Sequence, residues 1–262
     1  MKAEDLLQDI LNDGRSGSSR IIKRTLDLLG LIKEGERKEA VKKIMNAHPS
    51  MAGISRILEM LDKKDIGEIK REFENMDDTT VENLLNLTEN KSVVVISRSH
   101  TVERGLDVAN KVYVLYSEPG GEGRDTEKYL HARGINSILI PDSCMGYAVR
   151  ECDLVVVGAD TILCDGFVNK VGTLPLALTA KHFGKGFYVA SPSYKLAEDC
   201  LLKIPFEFVP AELVDSFVCE RGLYSIEEVW NIFIGSLSSE SSIKLKKQQY
   251  HSVFLSSNSN KV

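Results

Sequence analysis

Gly158-Ala-Asp-Thr-Ile-Leu-Cys-Asp-Gly-Phe-Val-Asn-Lys-Val-Gly-Thr173 is the stretch on which the fold turns. It follows an apolar run, Leu154 to Val157, and leads into an apolar helical pattern from Leu174 to Phe183. It therefore reads as strand, polar loop, helix. That order sets a carboxylate (Asp160), an amide (Asn169), an ammonium (Lys170) and a Gly-Thr pair (Gly172, Thr173) at the carboxyl end of a strand. In open α/β sheets ligands bind there. A lysine beside a glycine at a helix N-terminus suits a phosphate, because free backbone N–H groups and the helix dipole both favour an anion. Asp160, a few residues upstream, is free to hydrogen-bond hydroxyls or to move a proton.

Working outward, short β-rich runs alternate with helical patterns. The runs are Val93–Ile96, Val112–Tyr116, Ser137–Ile140, Leu154–Val157, Phe187–Ala190 and Phe206–Val209; the helical patterns lie near 101–110, 125–134, 143–151 and 174–183. Such alternation means βαβ units and a mostly parallel sheet, an α/β fold. Nearly all-apolar strands fit a sheet buried on both faces. Upstream, Leu6, Ile10, Ile21, Ile22, Leu26, Leu29, Val41, Ile44, Ile54 and Ile57 recur at helical spacing. The expected organisation is a helical N-terminal domain over 1–90, an α/β domain over 91–235 and a Ser/Lys-rich tail over 236–262 that reads as disordered. Ser225-x-x-Glu228 is a capping box opening a last helix, Ile226 to Phe233.

With 262 residues the chain suits one large domain or two smaller ones. A net charge of −5 argues against a dedicated nucleic-acid binder. No apolar run approaches the roughly 20 residues of a membrane span, and the polar, acidic start Met1–Asp9 is no signal peptide. Five dispersed cysteines without a Cys-x-x-Cys read as reduced thiols of a cytoplasmic protein. The five histidines lack metal spacing, so no metal and no cofactor are expected.

Other segments lie at strand ends. Ser97-Arg-Ser-His100 follows the first run, and Arg98 is a candidate phosphate fork; Ser97 or Ser99 would also cap the next helix. Asp142, after the third run, would orient a sugar hydroxyl or cap a helix. Gly120-Gly-Glu-Gly123 could form an anion nest, but reads better as a flexible loop because Glu118 and Glu122 repel phosphate. Gly14-Arg-Ser-Gly-Ser-Ser19 is a turn before a strong helix, with Ser18 or Ser19 as N-cap; Arg15 and Gly17 there could also meet a phosphate. Neither a G-x-G-x-x-G after a strand nor a P-loop is present.

Together, Gly158-Ala-Asp160, Asp165-Gly166, Asn169-Lys170 and Gly172-Thr173 resemble the signature loop shared by the alpha, beta and delta subunits of translation initiation factor 2B and by sugar-phosphate isomerases acting on methylthioribose 1-phosphate or ribose 1,5-bisphosphate. Ser97–Val102, Pro141–Ser143, Ala190–Lys195 and Val209–Asp215 extend the likeness in the family's order, to about residue 235. The resemblance implies a helical domain on a Rossmann-like domain. It also implies that Asp160 matches the isomerases' catalytic aspartate and that Ser97 stands where they carry a cysteine. A serine hydroxyl is far too weak an acid to replace that thiol without an activating base. Ser16-Gly-Ser18 replaces their phosphate-holding Arg-Gly-Ala, although Arg15 is adjacent, and Glu118-Pro119 replaces their Arg-Pro. These departures are similar to the initiation factor side. The likeness therefore implies a cytoplasmic, non-catalytic regulator that binds initiation factor 2, forms at least a homodimer and retains a sugar-phosphate or nucleotide pocket. In that pocket Asn169, Lys170 and Thr173 would hold a phosphate and Asp160 a ribose hydroxyl; no membrane and no direct nucleic-acid partner are implied. The second reading is an aldose–ketose isomerase working through Asp160, with Cys144 as the substitute acid.

Overall fold

The computed structural model describes residues 2–14 and 16–237. Arg15 and nearly all of the expected tail lie outside the described residues.

Five helices come first: α1 (Ala3–Leu11), α2 (Ser18–Leu31), α3 (Glu34–Ala47), α4 (Ala52–Met60) and α5 (Ile66–Thr88). The apolar periodicity forms their shared core, with Ile10, Ile21, Leu29, Val41, Ile44, Ile54 and Ile57 buried together. Asp65 caps α5 by accepting the Glu68 N–H at 2.9 Å, while Glu68 reaches back to the Asp65 N–H at 3.0 Å.

From Ser92 onward strands and helices alternate: β1 (Ser92–Val95), α6 (His100–Arg104), β2 (Lys111–Leu115), α7 (Gly123–Ala132), β3 (Ser137–Ile140), α8 (Met145–Glu151) and β4 (Leu154–Val157). Then come β5 (Thr161–Leu163), β6 (Gly166–Lys170), α9 (Thr173–His182), β7 (Gly186–Ala190), β8 (Phe206–Pro210), β9 (Ser216–Cys219), β10 (Gly222–Tyr224) and α10 (Ile226–Leu237). The seven-stranded sheet runs β10-β9-β7-β4-β1-β2-β3, parallel except for the β9–β10 pair. Alternate strand residues face opposite sides. Val94, Val155 and Val157 pack with α8 and α9, whereas Val93, Val95, Val112 and Val156 pack with α5, α6 and α7. Both faces are covered, which is why the strands read as unbroken apolar runs.

The chain progresses outward from β1 through β2 and β3, then returns to β4 on β1's other side. That reversal opens a crevice at the carboxyl ends of β1 and β4, immediately before Ser97 and Gly158.

Three expectations are corrected. The Gly158–Thr173 stretch is no loop: β5 and β6 form an antiparallel hairpin in it, so Asn169 and Lys170 sit on a strand. The Phe206–Val209 run is a strand, but it pairs antiparallel with β6 in a separate three-stranded sheet. Gly17, not Ser18 or Ser19, is the N-cap of α2, because Ser18 is already helical and its side chain is used elsewhere.

The helical layer closes directly over the crevice. Ala52 N–H donates to the Asp160 carbonyl at 3.3 Å and to Thr161 Oγ1 at 3.1 Å. Thr161 Oγ1 donates to the Ser50 carbonyl at 2.9 Å. A Cβ on Gly17 would stand 2.5 Å from the Arg98 carbonyl oxygen. Only glycine lets the α2 entry pass this close to the β1 end. Gly17→Ala is expected to lower stability by about 1–3 kcal/mol, read as a fall in the denaturation midpoint; an unchanged midpoint would show that the approach is not tight.

Candidate functional site

Under this roof lies a cavity of about 280 Å³, just below the ~300–1,000 Å³ usual for small-molecule sites. Its walls combine the α2 entry (Gly17, Ser18, Ser19), the α3–α4 connection (His48, Ser50), the β1 end (Ser97, Arg98, Ser99), Glu122, the β4 end (Gly158, Asp160), Asn169, Lys170 and Lys195.

Asp160 is buried, with 6 % of its surface exposed. Ser18, in the first turn of α2, hydrogen-bonds its carboxylate through both hydroxyl and backbone N–H. The helix terminus suits a negative charge. Burial nevertheless pushes the Asp160 carboxyl above the usual carboxylate range, against the pull of Lys195, the Ser18 bonds and Lys170. Lys195 is equally enclosed; its ammonium donates to the Ala159 carbonyl at 2.9 Å. Burial lowers its pKa, opposed by Asp160 and Asp77. Asp77 in turn accepts the Tyr194 hydroxyl at 2.9 Å, and Tyr194 stacks on Phe73 with ring centroids 4.3 Å apart. Lys195 thus feels two carboxylates, one just past β4 and one on α5.

The Lys170 ammonium pairs with Glu122 Oε1, both side chains being buried. Asn169 Nδ2 donates to Thr173 Oγ1 at 3.0 Å, and Thr173 Oγ1 donates to the Lys170 carbonyl at 2.6 Å. Thr173 is fully buried and, with Gly172, stands behind the cavity wall instead of on it. Gly172 has φ +96, which lets the chain turn from β6 into α9.

Ser97 holds a left-handed backbone, φ +64, uncommon for a residue with a Cβ. Its N–H donates to Ser117 Oγ at 2.7 Å and its carbonyl accepts Thr126 Oγ1 at 3.1 Å. Its hydroxyl reaches Glu122 Oε1 at 3.4 Å, a long contact. Arg98 Nε donates to buried Glu103 at 3.1 Å and its Nη1 stands 4.0 Å from Asp125; the partly exposed residue lines the cavity. Ser99, not Ser97, caps α6, accepting the Val102 N–H at 3.4 Å.

Asp142 lies off the cavity. Its two carboxylate oxygens accept the N–H groups of Ser117 and Glu118 at 2.8 Å each, so it fixes the turn that carries Ser117. Cys144 is exposed and also off the cavity wall. The buried thiols of Cys152 and Cys219 are pushed up to about 11 by burial, which makes them poor nucleophiles. Among the described residues no group of three or more His, Cys, Asp or Glu is placed to hold a metal ion, and no helix is long and apolar enough to cross a membrane.

Sequence reasoning passed over three wall residues. Lys195 follows β7 at a strand end, the same positional signal that marked Asp160. Glu122 was weighed only as a repeller of phosphate. Ser18 was read only as a cap.

The chain belongs to the Initiation factor 2 subunit family, whose profile it matches over residues 20–207. It is 31 % identical over 175 residues to a ribose 1,5-bisphosphate isomerase of Methanocaldococcus jannaschii, covering 56 % of each chain. It is 38 % identical over 140 residues to that of Archaeoglobus fulgidus, covering 53 % of this chain and 42 % of the relative. A translation initiation factor eIF-2B subunit 2-like protein of Pyrococcus horikoshii is 31 % identical over 179 residues, covering 61 % of this chain and 63 % of the relative. The chain spans about half the length of the isomerase relatives. In fold it is similar to the Pyrococcus horikoshii OT3 translation initiation factor eIF-2B, with a TM-score of 0.76 at 23 % identity over 85 % of this chain and 96 % of that one. It is also similar to 5-methylthioribose 1-phosphate isomerase from the same organism, with a TM-score of 0.70 at 15 % identity over 90 % and 88 %. The family thus holds both initiation factor 2B-like proteins and sugar-phosphate isomerases.

The Asp160–Lys195 pairing predicts a pH signature. A buried acid with a raised pKa keeps its proton in the folded state after the unfolded chain has lost it, so stability falls as pH rises through the carboxylate range. Lys195 opposes that fall. In Lys195→Met the opposition is gone, so the stability deficit against wild type is expected to be smallest near about pH 4 and to grow toward neutrality. Urea midpoints across that range measure it; a deficit independent of pH would mean that Lys195 does not act through the Asp160 charge.

Proposed function

We propose that this protein is a ligand-binding, non-catalytic member of the family, whose cavity takes a small phosphorylated sugar or nucleotide and which works through assembly with other proteins. The observation that carries this reading is the Ser97 corner. Proton shuttling between neighbouring sugar carbons needs a second acid/base group beside Asp160. Ser97 offers only a hydroxyl, and its carboxylate neighbour Glu122 is already committed to Lys170.

The cavity wall itself supports ligand binding. Asp160, Asn169, Lys170, Ser97, Arg98 and Gly17 all line one space of about 280 Å³. The sequence put the phosphate on Asn169, Lys170 and Thr173. Because Thr173 lies behind Asn169, off the cavity wall, the phosphate is left to Lys170 and Arg98, cations on the wall that each share a carboxylate, Glu122 and Glu103, with which it competes. Asp160 and Asn169 then meet sugar hydroxyls, while Gly172, Thr173 and Asp142 shape the wall from behind.

Initiation factor 2 as partner, and a homo-oligomer, belong to the same proposal. Tyr147 on α8, Leu178 on α9 and Phe183 just past the end of α9 are exposed large apolar side chains at two packed helices, which supports a protein contact there.

The alternative is isomerisation of a phosphorylated ribose. It is favoured by the isomerase relatives and by one observation: Asp160 and Lys195 are both buried on the cavity wall within each other's field, burial raising the acid's pKa and lowering the base's. Lys195 is then a better substitute acid than Cys144. Phosphorus NMR of the protein with ribose 1,5-bisphosphate, methylthioribose 1-phosphate and adenosine monophosphate separates the two readings. Line broadening without new resonances is expected; product peaks at substoichiometric protein would establish the alternative.

A further inference from the structure

Four lysines and arginines line the cavity among the described residues: Arg98, Lys170, Lys195 and Lys203. Three of them already face carboxylates. Arg98 bonds Glu103 and stands 4.0 Å from Asp125. Lys170 pairs with Glu122. Lys195 donates to the Ala159 carbonyl within the fields of Asp160 and Asp77. The remaining lining carboxylate, Asp13, takes Arg24 at 2.8 Å. Lys203 is different: it is exposed, lines the cavity, and has no ion pair or side-chain hydrogen bond among the described residues.

Lys203 lies on the connection from β7 to β8, and that connection is tied down on both sides of it. Ser50 Oγ, buried between α3 and α4, donates to the Leu201 carbonyl at 2.8 Å. The Val171 N–H donates to the Pro205 carbonyl at 2.9 Å, and the Phe206 N–H donates to the Lys203 carbonyl at 3.0 Å. Leu201, Leu202 and Ile204 are exposed, so these hydrogen bonds and not apolar burial hold the segment in place. Phe206 is the register partner of Lys170 in the β6–β8 pair. The turn that carries Lys203 therefore stands at the cavity's opening on the side of Lys170. A lysine there keeps a mobile ammonium on a four-carbon stem.

An anion beside Lys170 or Arg98 shares its cation with a carboxylate, and like charges repel most where water is scarce. Lys203 supplies positive charge without such a competitor, and a charge-assisted hydrogen bond to phosphate is among the stronger polar contacts. We propose that Lys203 is a ligand-binding residue whose ammonium closes on the phosphate at the cavity's opening beside Lys170, so that the phosphate is the ligand's outward end and the sugar hydroxyls point inward to Asp160 and Asn169. This deepens the ligand-binding reading and rests on it.

Calorimetric titration of the full chain with ribose 1-phosphate, ribose 5-phosphate and adenosine monophosphate tests both, in wild type, Lys203→Met, Lys203→Arg and Lys63→Met. Lys63 is an exposed lysine between α4 and α5 that does not line the cavity, so its variant removes the same charge elsewhere. For whichever probe wild type binds, Lys203→Met is expected to weaken binding about tenfold. Lys203→Arg is expected to recover most of that loss, and Lys63→Met to leave the affinity unchanged. Wild-type affinity in Lys203→Met overturns the inference while leaving the pocket standing. A loss in Lys63→Met as large as in Lys203→Met also overturns it, because the effect would then belong to the general field of the protein. Binding of none of the three probes by wild type overturns the pocket reading as well.

Discussion

Asp160 is the point at which fold and site become one structure. Its carbonyl receives Ala52 from α4, its N–H donates to the Val168 carbonyl of β6 at 2.8 Å, and its carboxylate receives Ser18 from α2. Three elements, two of them distant in sequence, therefore meet on one residue at the end of β4. The constraint is backbone accounting: the crevice at the sheet's switch point exposes N–H and C=O groups, and the helical layer that covers it must satisfy them. Ser50, Ala52 and Thr161 do so with hydrogen bonds to one another, and the missing Cβ of Gly17 leaves room for α2 to lie close to the Arg98 carbonyl. The cavity is the volume left over where that roof stops short.

Several charges around the leftover volume are balanced by an opposite one: Lys170 by Glu122 and Arg98 by Glu103 in ion pairs, and Lys195 by the field of Asp160. A buried charge is tolerated only when paired, and removing one member of such a pair typically costs ~3–5 kcal/mol. Lys170 and Arg98 are thus committed electrostatically before any ligand enters. That commitment separates this protein from a simple phosphate cradle, and it explains why residues that look cationic in sequence do not behave as free cations in space.

Much of the architecture is legible in the sequence, because it follows from periodicity. Val93, Val112 and Leu154 begin apolar runs since they sit in a sheet covered on both faces, and Ile21, Leu26 and Leu29 repeat at helical spacing since one stripe faces the helical core. The hairpin of β5 and β6 was hidden because Asp160, Asp165, Asn169 and Lys170 break the apolar alternation by which a strand is recognised. The placement of Phe206–Val209 was missed for a different reason: a short apolar strand carries no mark of which sheet it joins, and only pairing with β6 decides. At the site, Asp160, Asn169, Lys170, Ser97, Arg98 and Gly17 were legible as residues of the right type at strand and helix ends. Glu122 and Lys195 were not, since a charged side chain reads as solvent-facing until its partner, 48 residues away for Lys170 and Glu122, is known to be adjacent. Asp142 had the right position and the wrong direction: its carboxylate turns to the Ser117–Glu118 backbone.

The central claim is that the cavity holds a phosphorylated sugar without moving its protons. Incubating the protein with ribose 1-phosphate, ribose 5-phosphate and ribose 1,5-bisphosphate in deuterium oxide, and following the carbon-bound hydrogen beside the anomeric carbon by proton NMR, tests it most directly. An aldose–ketose isomerase working through Asp160 would exchange that hydrogen with solvent even where net conversion is small. The account predicts saturation-transfer signals from at least one bound ligand with the hydrogen fully retained. Deuterium appearing at that carbon at a rate proportional to protein concentration, and lost in Asp160→Asn, would contradict it.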